Sequence, residues 1–599
     1  FGPSFLNTRT AKFLPTGFCS HYTTLPIEYR MVSQGKALLL ATFGICVCAT
    51  PEQTDAGAHI DNAALASRLQ LLENIVLSLQ VAIRQQQQDI EHEQGMLRSQ
   101  QHWLKPRRSA DIREAEGAHP RKLSDANTAM DHIWLLLCGA LVMFMQAGFA
   151  MLEAGTCRAK NVQNILLKNL TDVCVGTLGW WALGWGFAYG NPDDDGDGKL
   201  DHGFIGHSQF FSNGFAEAND DGVQTVKTSP VGWFFQWAFC SAASTIVSGG
   251  VAERVKLPGY VCYSFLMTSF IYPVVVAWTW GYGWLHTVTT AGYMDFAGSG
   301  IVHMTGGVAA LVGAAIAGPR GGRWEIERED EFAPHSLPLI VLGTFILWFG
   351  WYGFNCGSTL GLSSASQGYL AAQVAMNTTI AAATGGLGVF VLQLIKIRKY
   401  DLGILCNGVL AGLVSITAPC GNVEVGSAFA IGLIGSLIYF GSSNLVKKLK
   451  VDDPIDAFSV HGACGAWGVL AAALFDWGKG MDHVNGWSGW DCIRHDDGPN
   501  KGACRSDVWA GMFGANVLEI FMVLVWAGGL SALMFTPLRL LGLLRASDEV
   551  QESGMDETAH SPPKAYNWDA KETQVTAVVK NGSKKTTQVV PMKALQQEA

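Results

Sequence analysis

Between Trp134 and Leu544 the chain runs again and again through stretches of about 20 apolar residues, each enough for a helix to cross a ~30 Å hydrocarbon layer. In lipid every backbone amide and carbonyl must find its partner within the protein, so such stretches fold as helices. The expected class is an all-α polytopic membrane protein. Eleven spans are predicted, at 132–155, 163–190, 231–251, 258–282, 298–318, 338–358, 367–396, 401–419, 425–445, 457–476 and 507–542. Composition agrees: Asp, Glu, Lys and Arg make up 15% of the 599 residues, where about 25% is usual for a soluble protein. The 69 glycines suit helices that associate by close backbone approach.

Lysine and arginine orient the spans. Arg158 and Lys160, Arg254 and Lys256, Arg320 and Arg323, Lys396 to Lys399, and Lys447 to Lys450 occupy every second connection. By the positive-inside rule those connections face the cytoplasm. The N-terminus is then extracellular and the tail after Arg545 cytoplasmic. The net charge of −9 comes without any basic stripe, so no nucleic acid partner is expected.

The N-terminal region reads as several pieces. Residues 1–30 form a leader of unexplained purpose. Met31, Lys36, the apolar run 37–48 and Val47-Cys48-Ala49 read as a signal peptide over 31–49, too short for a span. An extracellular extension over 50–130 follows. Within it Leu65, Leu69, Leu72, Val76, Leu79, Ile83, Ile90 and Leu97 step by 3 and 4, with Gln86 and Glu93 completing the series. That spacing fits a coiled coil over 65–97 with a partner outside, of the kind that favours two strands, and equally a single amphipathic helix.

Two outward loops carry further motifs. Asp193, Asp195, Asp197 and Gly198 open like a calcium-binding loop, but its twelfth position is Phe204 in place of a bidentate Glu. Cys492 and Cys504 share a loop, and an oxidising compartment would permit a disulfide there. Most of the 14 cysteines sit in spans, where a free Cys acts as a small hydrophobe.

An internal echo points into the membrane. Val302-His303-x-x-x-Gly307 in span five is matched by Val460-His461-x-x-x-Gly465 in span ten, each with an Asp shortly upstream, Asp295 and Asp456. Gly148-Phe149 and Gly353-Phe354 echo more weakly between spans one and six. A five-plus-five repeat must be inverted, because five is odd, and inverted repeats place the path at the interface between halves. His303 and His461 are expected to meet there. Ionisable residues inside a membrane are functional candidates by default, and imidazole changes charge near physiological pH. A metal pair is the rival reading; zinc wants three or four ligands, and no other residue has matching spacing. No nucleophile, phosphate loop or catalytic metal set suggests an enzyme.

Several motifs in order are very specific: Gln236-Trp237-Ala238-Phe239, Ala252-Glu253-Arg254, Asp295-Phe296-Ala297-Gly298-Ser299-Gly300-x-Val302-His303, Gly350-Trp351-Tyr352-Gly353-Phe354-Asn355-x-Gly357-Ser358, and Val451-Asp452-Asp453-Pro454-x-Asp456-x-Phe458-x-Val460-His461-Gly462. Over about 131–566 the chain resembles the Amt/Mep/Rhesus ammonium transporters, in particular their plant-type branch. The resemblance implies a homotrimer with a pore in each subunit, a transmembrane domain at 131–545 and a regulatory tail at 546–599. It implies that Trp280 and Ser358 recruit ammonium, with Phe239 touching substrate, and that Phe239 and Phe354 form a gate. It makes His303 and His461 the proton relay, Phe235, Gln236 and Trp351 pore lining, and Asp295 and Asp456 structural support. Gly554-Met555-Asp556-x-Thr558-x-His560 resembles the plant tail, which makes Thr558 a target for a kinase.

The chemistry fits such a site. Trp280 offers a π face to a cation, worth about 0.5 to 2 kcal/mol, and the Ser358 hydroxyl can accept from N–H. Potassium can neither donate a hydrogen bond nor lose a proton, so a site requiring either rejects it. An apolar lumen penalises an ion far more than neutral ammonia, so ammonia plus a separately carried proton is the expected cargo. Two other functions share these motifs: an ammonium sensor with little flux, and an electroneutral gas channel of the Rhesus type. The expected location is the plasma membrane.

Overall fold

The computed structural model describes residues 120–190, 203–218, 224–226, 229–289, 292–476, 508–566, 575–581 and 584–590. They belong to the unit Gly117–Ala599. The signal peptide, the heptads of 65–97, Asp193 to Gly198, Cys492 and Cys504 lie outside them.

The described residues are overwhelmingly helical. In chain order the main helices are α1 Pro120–Thr156, α2 over 162–189, α3 Ser229–Gly250, α4 Leu257–Trp278 and α5 Ser299–Ala317, α6 Leu337–Gly357 and α7 Ala365–Ile397. They continue with α8 Leu402–Thr417 and α10 Phe458–Leu474, between which lies α9 Val425–Lys448, and end with α11 Val508–Leu540. Two short antiparallel hairpins, 216–218 with 224–226 and 575–581 with 584–590, stand outside the bundle pattern.

Seven of these helices, α1, α4, α5, α6, α7, α9 and α11, are long and apolar enough to cross a membrane. The chain is an integral membrane protein. Its outer surface exposes Ile133, Leu137, Phe345, Tyr369, Leu387, Phe521 and Leu533, an apolar coat that water would not tolerate over so wide an area. Helices α8 and α10 are apolar but shorter. The lower apolarity of α3 has a structural cause: Ser244 donates to Asp172 Oδ1 (2.8 Å), Thr245 to Asn169 Oδ1 (3.1 Å) and Ser248 to Glu153. One face of α3 therefore satisfies a buried polar belt on α1 and α2, as interhelical hydrogen bonds do in lipid.

Helices α1 and α6 pack through glycine. A Cβ on Gly148 would lie 3.1 Å from the Gly343 carbonyl oxygen, and one on Gly350 would lie 2.2 Å from Met145 Cγ. Phe204, at the twelfth position of the calcium-like loop, packs its ring on Trp278 at 5.3 Å and on Trp526 at 5.9 Å, an aromatic contact in place of a ligand.

Helices α5 and α10 both start in a π turn that carries the histidine, Ser299–Met304 and Phe458–Ala463. The structure corrects the register of the echo between them. Asp295 accepts from the amides of Gly298 (2.6 Å), Ser299 (3.0 Å), Gly300 (2.8 Å) and Ile301 (3.3 Å). The residue doing the same for α10 is Asp453, which accepts from the amides of Ala457 (2.9 Å) and Phe458 (2.8 Å). Asp295 precedes His303 by eight residues, 303 − 295, and Asp453 precedes His461 by eight, 461 − 453. Asp456 falls instead on the position of Gly298, and both have positive φ, +58° and +109°. Asp456 accepts from the Tyr439 hydroxyl (2.9 Å) and Lys447 Nζ (3.3 Å).

At the end where the basic connections gather, three arginines used above as orientation markers are buried: Arg158, Arg254 and Arg320. Arg158 and Arg320 both clasp Glu253, the latter at 2.7 Å, and Arg320 also holds Asp452 at 2.8 Å. The ring of Phe332 lies under the guanidinium groups of Arg158 (4.7 Å) and Arg320 (5.0 Å). Burial pushes the carboxyls of Glu253 and Asp452 up, but the adjoining arginines outweigh it and hold both below the ordinary carboxylate range.

Candidate functional site: a column of stacked rings

The site grows from the two π turns. A π turn widens the helix by one residue and is frequent at functional positions; here each turns a histidine inward. Gly307 and Gly465, four residues beyond each histidine, allow the crossing. A Cβ on Gly307 would lie 2.2 Å from the Gly462 nitrogen, and one on Gly465 would lie 2.5 Å from the Ser299 carbonyl oxygen. The contact is reciprocal, and only glycine permits it at these separations. His303 Nδ1 and His461 Nδ1 are brought to 3.2 Å, with ring centroids 5.2 Å apart. Both histidines are buried.

That distance restricts the protons. An Nδ1 to Nδ1 hydrogen bond needs one nitrogen to donate and the other to accept, so the pair holds a single proton along this line. His303 Nε2 is buried with no hydrogen-bond partner, which leaves one edge of the pair open to a small polar guest.

Aromatic rings continue the column. His303 stacks on Trp351 at 5.0 Å and on Phe354 at 5.3 Å. Phe354 stacks on Phe239 at 4.0 Å, Phe239 meets Phe235 at 4.8 Å, and its edge meets Trp280 at 5.8 Å. On the far side Phe149 lies 6.0 Å from His461. The two phenylalanines of the weak echo therefore each sit against one of the histidines, Phe354 against His303 and Phe149 against His461. Phe149 was absent from the residues singled out as pore-forming; the Gly-Phe echo was the signal for it.

The polar ends of these side chains are fixed by hydrogen bonds to a threonine hydroxyl and to backbone carbonyls. Trp351 Nε1 donates to Thr417 Oγ1 (2.9 Å) and Trp280 Nε1 to the Asp295 carbonyl oxygen (2.9 Å). Ser358 Oγ donates to the Phe354 carbonyl oxygen (3.0 Å), which turns its lone pairs outward. Trp280 and Ser358 are both partly exposed while the phenylalanine pair is buried. Gln236 Oε1 is buried with no partner. Among the described residues no group of three His, Cys, Asp or Glu could hold a metal ion.

The tail returns to the bundle. Asp556 accepts from the amides of Gln163 (2.9 Å) and Asn164 (2.8 Å) at the start of α2, and Asn161 Oδ1 accepts from the Met555 amide (2.9 Å). Lys160 donates to the Glu552 carbonyl, Tyr566 pairs with His335 at 3.2 Å, and Thr558 Oγ1 donates to the Gly554 carbonyl (3.0 Å). Asp556→Ala removes a helix N-cap at this junction, a loss of about 0.5 to 2 kcal/mol. Limited proteolysis of the purified protein is expected to cut the tail faster in this variant than in the wild type.

The chain matches the model of the Ammonium Transporter Family over residues 133–566. It is 37% identical over 461 residues to an ammonium transporter of Archaeoglobus fulgidus, covering 76% of this chain and 92% of that one. It is 35% identical over 466 residues to a tomato (Solanum lycopersicum) ammonium transporter, covering 75% and 95%. Among solved structures, one of a Sensor Amt Protein superposes with TM-score 0.62 at 31% identity, covering 72% of this chain and 98% of that one. The Mep2 structure of Saccharomyces cerevisiae superposes with TM-score 0.58 at 26% identity, covering 70% and 89%.

Proposed function

Because the chain belongs to the ammonium transporter family, we propose that it recruits ammonium beside Trp280 and Ser358, strips a proton at the Phe239–Phe354 gate, and passes ammonia and the proton separately by way of His303 and His461. The observation that carries this reading is the 3.2 Å contact between the two Nδ1 atoms behind a closed pair of phenyl rings. An ion entering that column would lose its water and gain mostly ring faces, with few polar atoms such as Gln236 Oε1 and His303 Nε2, a large desolvation cost that neutral ammonia avoids. The imidazole pair offers the proton its own way past, one proton exchanged along one line. Phe235, Gln236 and Trp351 line the path, and Asp295 and Asp456 are structural supports, the first for the turn that opens α5 and the second through Tyr439 and Lys447.

In this reading the chain crosses the membrane eleven times as five-plus-five inverted halves with a final span, and assembles as a homotrimer in the plasma membrane. The extracellular N-terminal region comprises the leader 1–30, the signal peptide 31–49 and the extension 50–130, whose heptads would engage a partner outside. The transporter domain is 131–545. The cytoplasmic tail, 546–599, answers to phosphorylation of Thr558, because a phosphate would place about two negative charges beside Asp556, where it caps α2.

The test is voltage-clamp current in cells expressing residues 31–599. Saturable inward current is expected with ammonium and none with potassium. Ammonia flux without current would make the protein an electroneutral gas channel. A second reading has one observation in its favour: the similarity to a Sensor Amt Protein fits a tail held on the bundle as a signalling surface. Surface protein with neither current nor flux would decide for that sensor.

A further inference from the structure

Glu519, on α11, is fully buried, and neither of its carboxyl oxygens has a hydrogen-bond partner of good geometry. Its surroundings are specific. Glu519 Oε1 and the Tyr293 hydroxyl each lie 2.5 Å from where a Cβ on Gly300 would sit, and Val469 Cγ2 lies 2.7 Å from the same point. One turn earlier on α11, Asn516 Oδ1 accepts from the Met294 amide (2.9 Å), and Asn516 Nδ2 donates to the Met294 carbonyl oxygen (3.1 Å). Helix α11 therefore grips the segment 293–295 and presents Glu519 to it.

Tyr293 has one hydroxyl proton, and it is donated to Asp295 Oδ2 at 2.9 Å. Toward Glu519 the hydroxyl can then only accept. A carboxylate would leave two buried acceptors facing each other, whereas a carboxylic acid would donate and complete the chain. The negative charge belongs at Asp295, which has four backbone amides to hold it; Glu519 has none. Two buried carboxylates without a cation are far costlier than one.

We infer that Glu519 is a neutral carboxylic acid that donates through Tyr293 to Asp295, so that the pair carries one negative charge, placed under the recruitment site. Asp295 also fixes the ring of Trp280 through its carbonyl oxygen. Glu519 is thus a positioning residue for cation recruitment, acting through Tyr293 and Asp295, and this role rests on the ammonium reading above. The charge assignment does not.

The test compares E519Q, E519L and Y293F in the full chain. Infrared spectra of the wild type in lipid at neutral pH are expected to show the carbonyl stretch of a buried carboxylic acid, and E519Q to lack it. Absence of that band from the wild type overturns the charge assignment. The ammonium concentration giving half-maximal current is expected to rise about tenfold, one 1.4 kcal/mol step, in E519L and in Y293F. E519Q, whose amide can still donate, stays near the wild type. If E519Q fails as badly as E519L while both reach the surface, an ionised Glu519 is required and the inference is wrong. If E519L behaves as wild type, the positioning role is wrong. A wild type that shows the band but carries no current would instead sink the ammonium reading and leave the assignment standing.

Discussion

Ammonium current at saturating ammonium is expected to fall about tenfold or more when His303 is replaced by leucine, because no ionisable side chain would then face His461 across the lumen. Leucine fills similar space, so the column stays closed; what disappears is the partner 3.2 Å from His461 Nδ1. His461→Leu should do the same from the other side. The double variant should be no worse than either single one, since residues that act as a unit are grossly non-additive. Surface labelling controls for expression. Currents that decline in proportion with each single change and multiply in the double would show that the histidines act independently, contrary to the shared proton.

The second large effect concerns stability. Glu253→Ala leaves Arg158 and Arg320 facing each other over Phe332 with their common carboxylate gone, and breaking a buried ion pair costs about 3 to 5 kcal/mol. The thermal midpoint of the solubilised protein should drop well below that of an exposed-site control such as Glu327→Ala. The pH dependence has a definite sign. Glu253 and Asp452 are held below the ordinary carboxylate range, so their contribution is fully present above about pH 4. It is lost only as pH falls through the depressed values. In Glu253→Ala the Glu253 share of that acid loss should vanish, measured as a flatter fall of the thermal midpoint between neutral and acid pH.

Much of this was legible from the sequence because lipid leaves so few options. Long apolar runs gave the helices, and the His-x-x-x-Gly spacing gave the pair of crossing turns, since only glycine admits a backbone at 2.2 Å from a would-be Cβ. What failed was what depends on local hydrogen bonding. Asp453 and Asp456 both stand a few residues ahead of His461; the eight-residue spacing that Asp295 keeps from His303 singles out Asp453, and the amides of Ala457 and Phe458 are donated to it. The basic residues have a second role that their charge does not reveal. Counted as charges they serve to predict one side of the membrane, yet Arg158, Arg254 and Arg320 are buried in a network whose acidic members lie 67 to 198 residues from the arginines that reach them. The stacking of Phe239 on Phe354 was legible only through the resemblance: they are 115 residues apart, 354 − 239, and a lone aromatic in a span ordinarily reads as packing.

The rings of Phe239 and Phe354 rest 4.0 Å apart, so no continuous bore runs down the column at rest. If the proposed gate is right, each passage waits for two aromatic side chains to swing aside and return. On the proposed mechanism such a protein would work as a turnstile, counting molecules one by one, and its expected electrical signature is a smooth macroscopic current without the discrete unitary steps that an open ion channel produces.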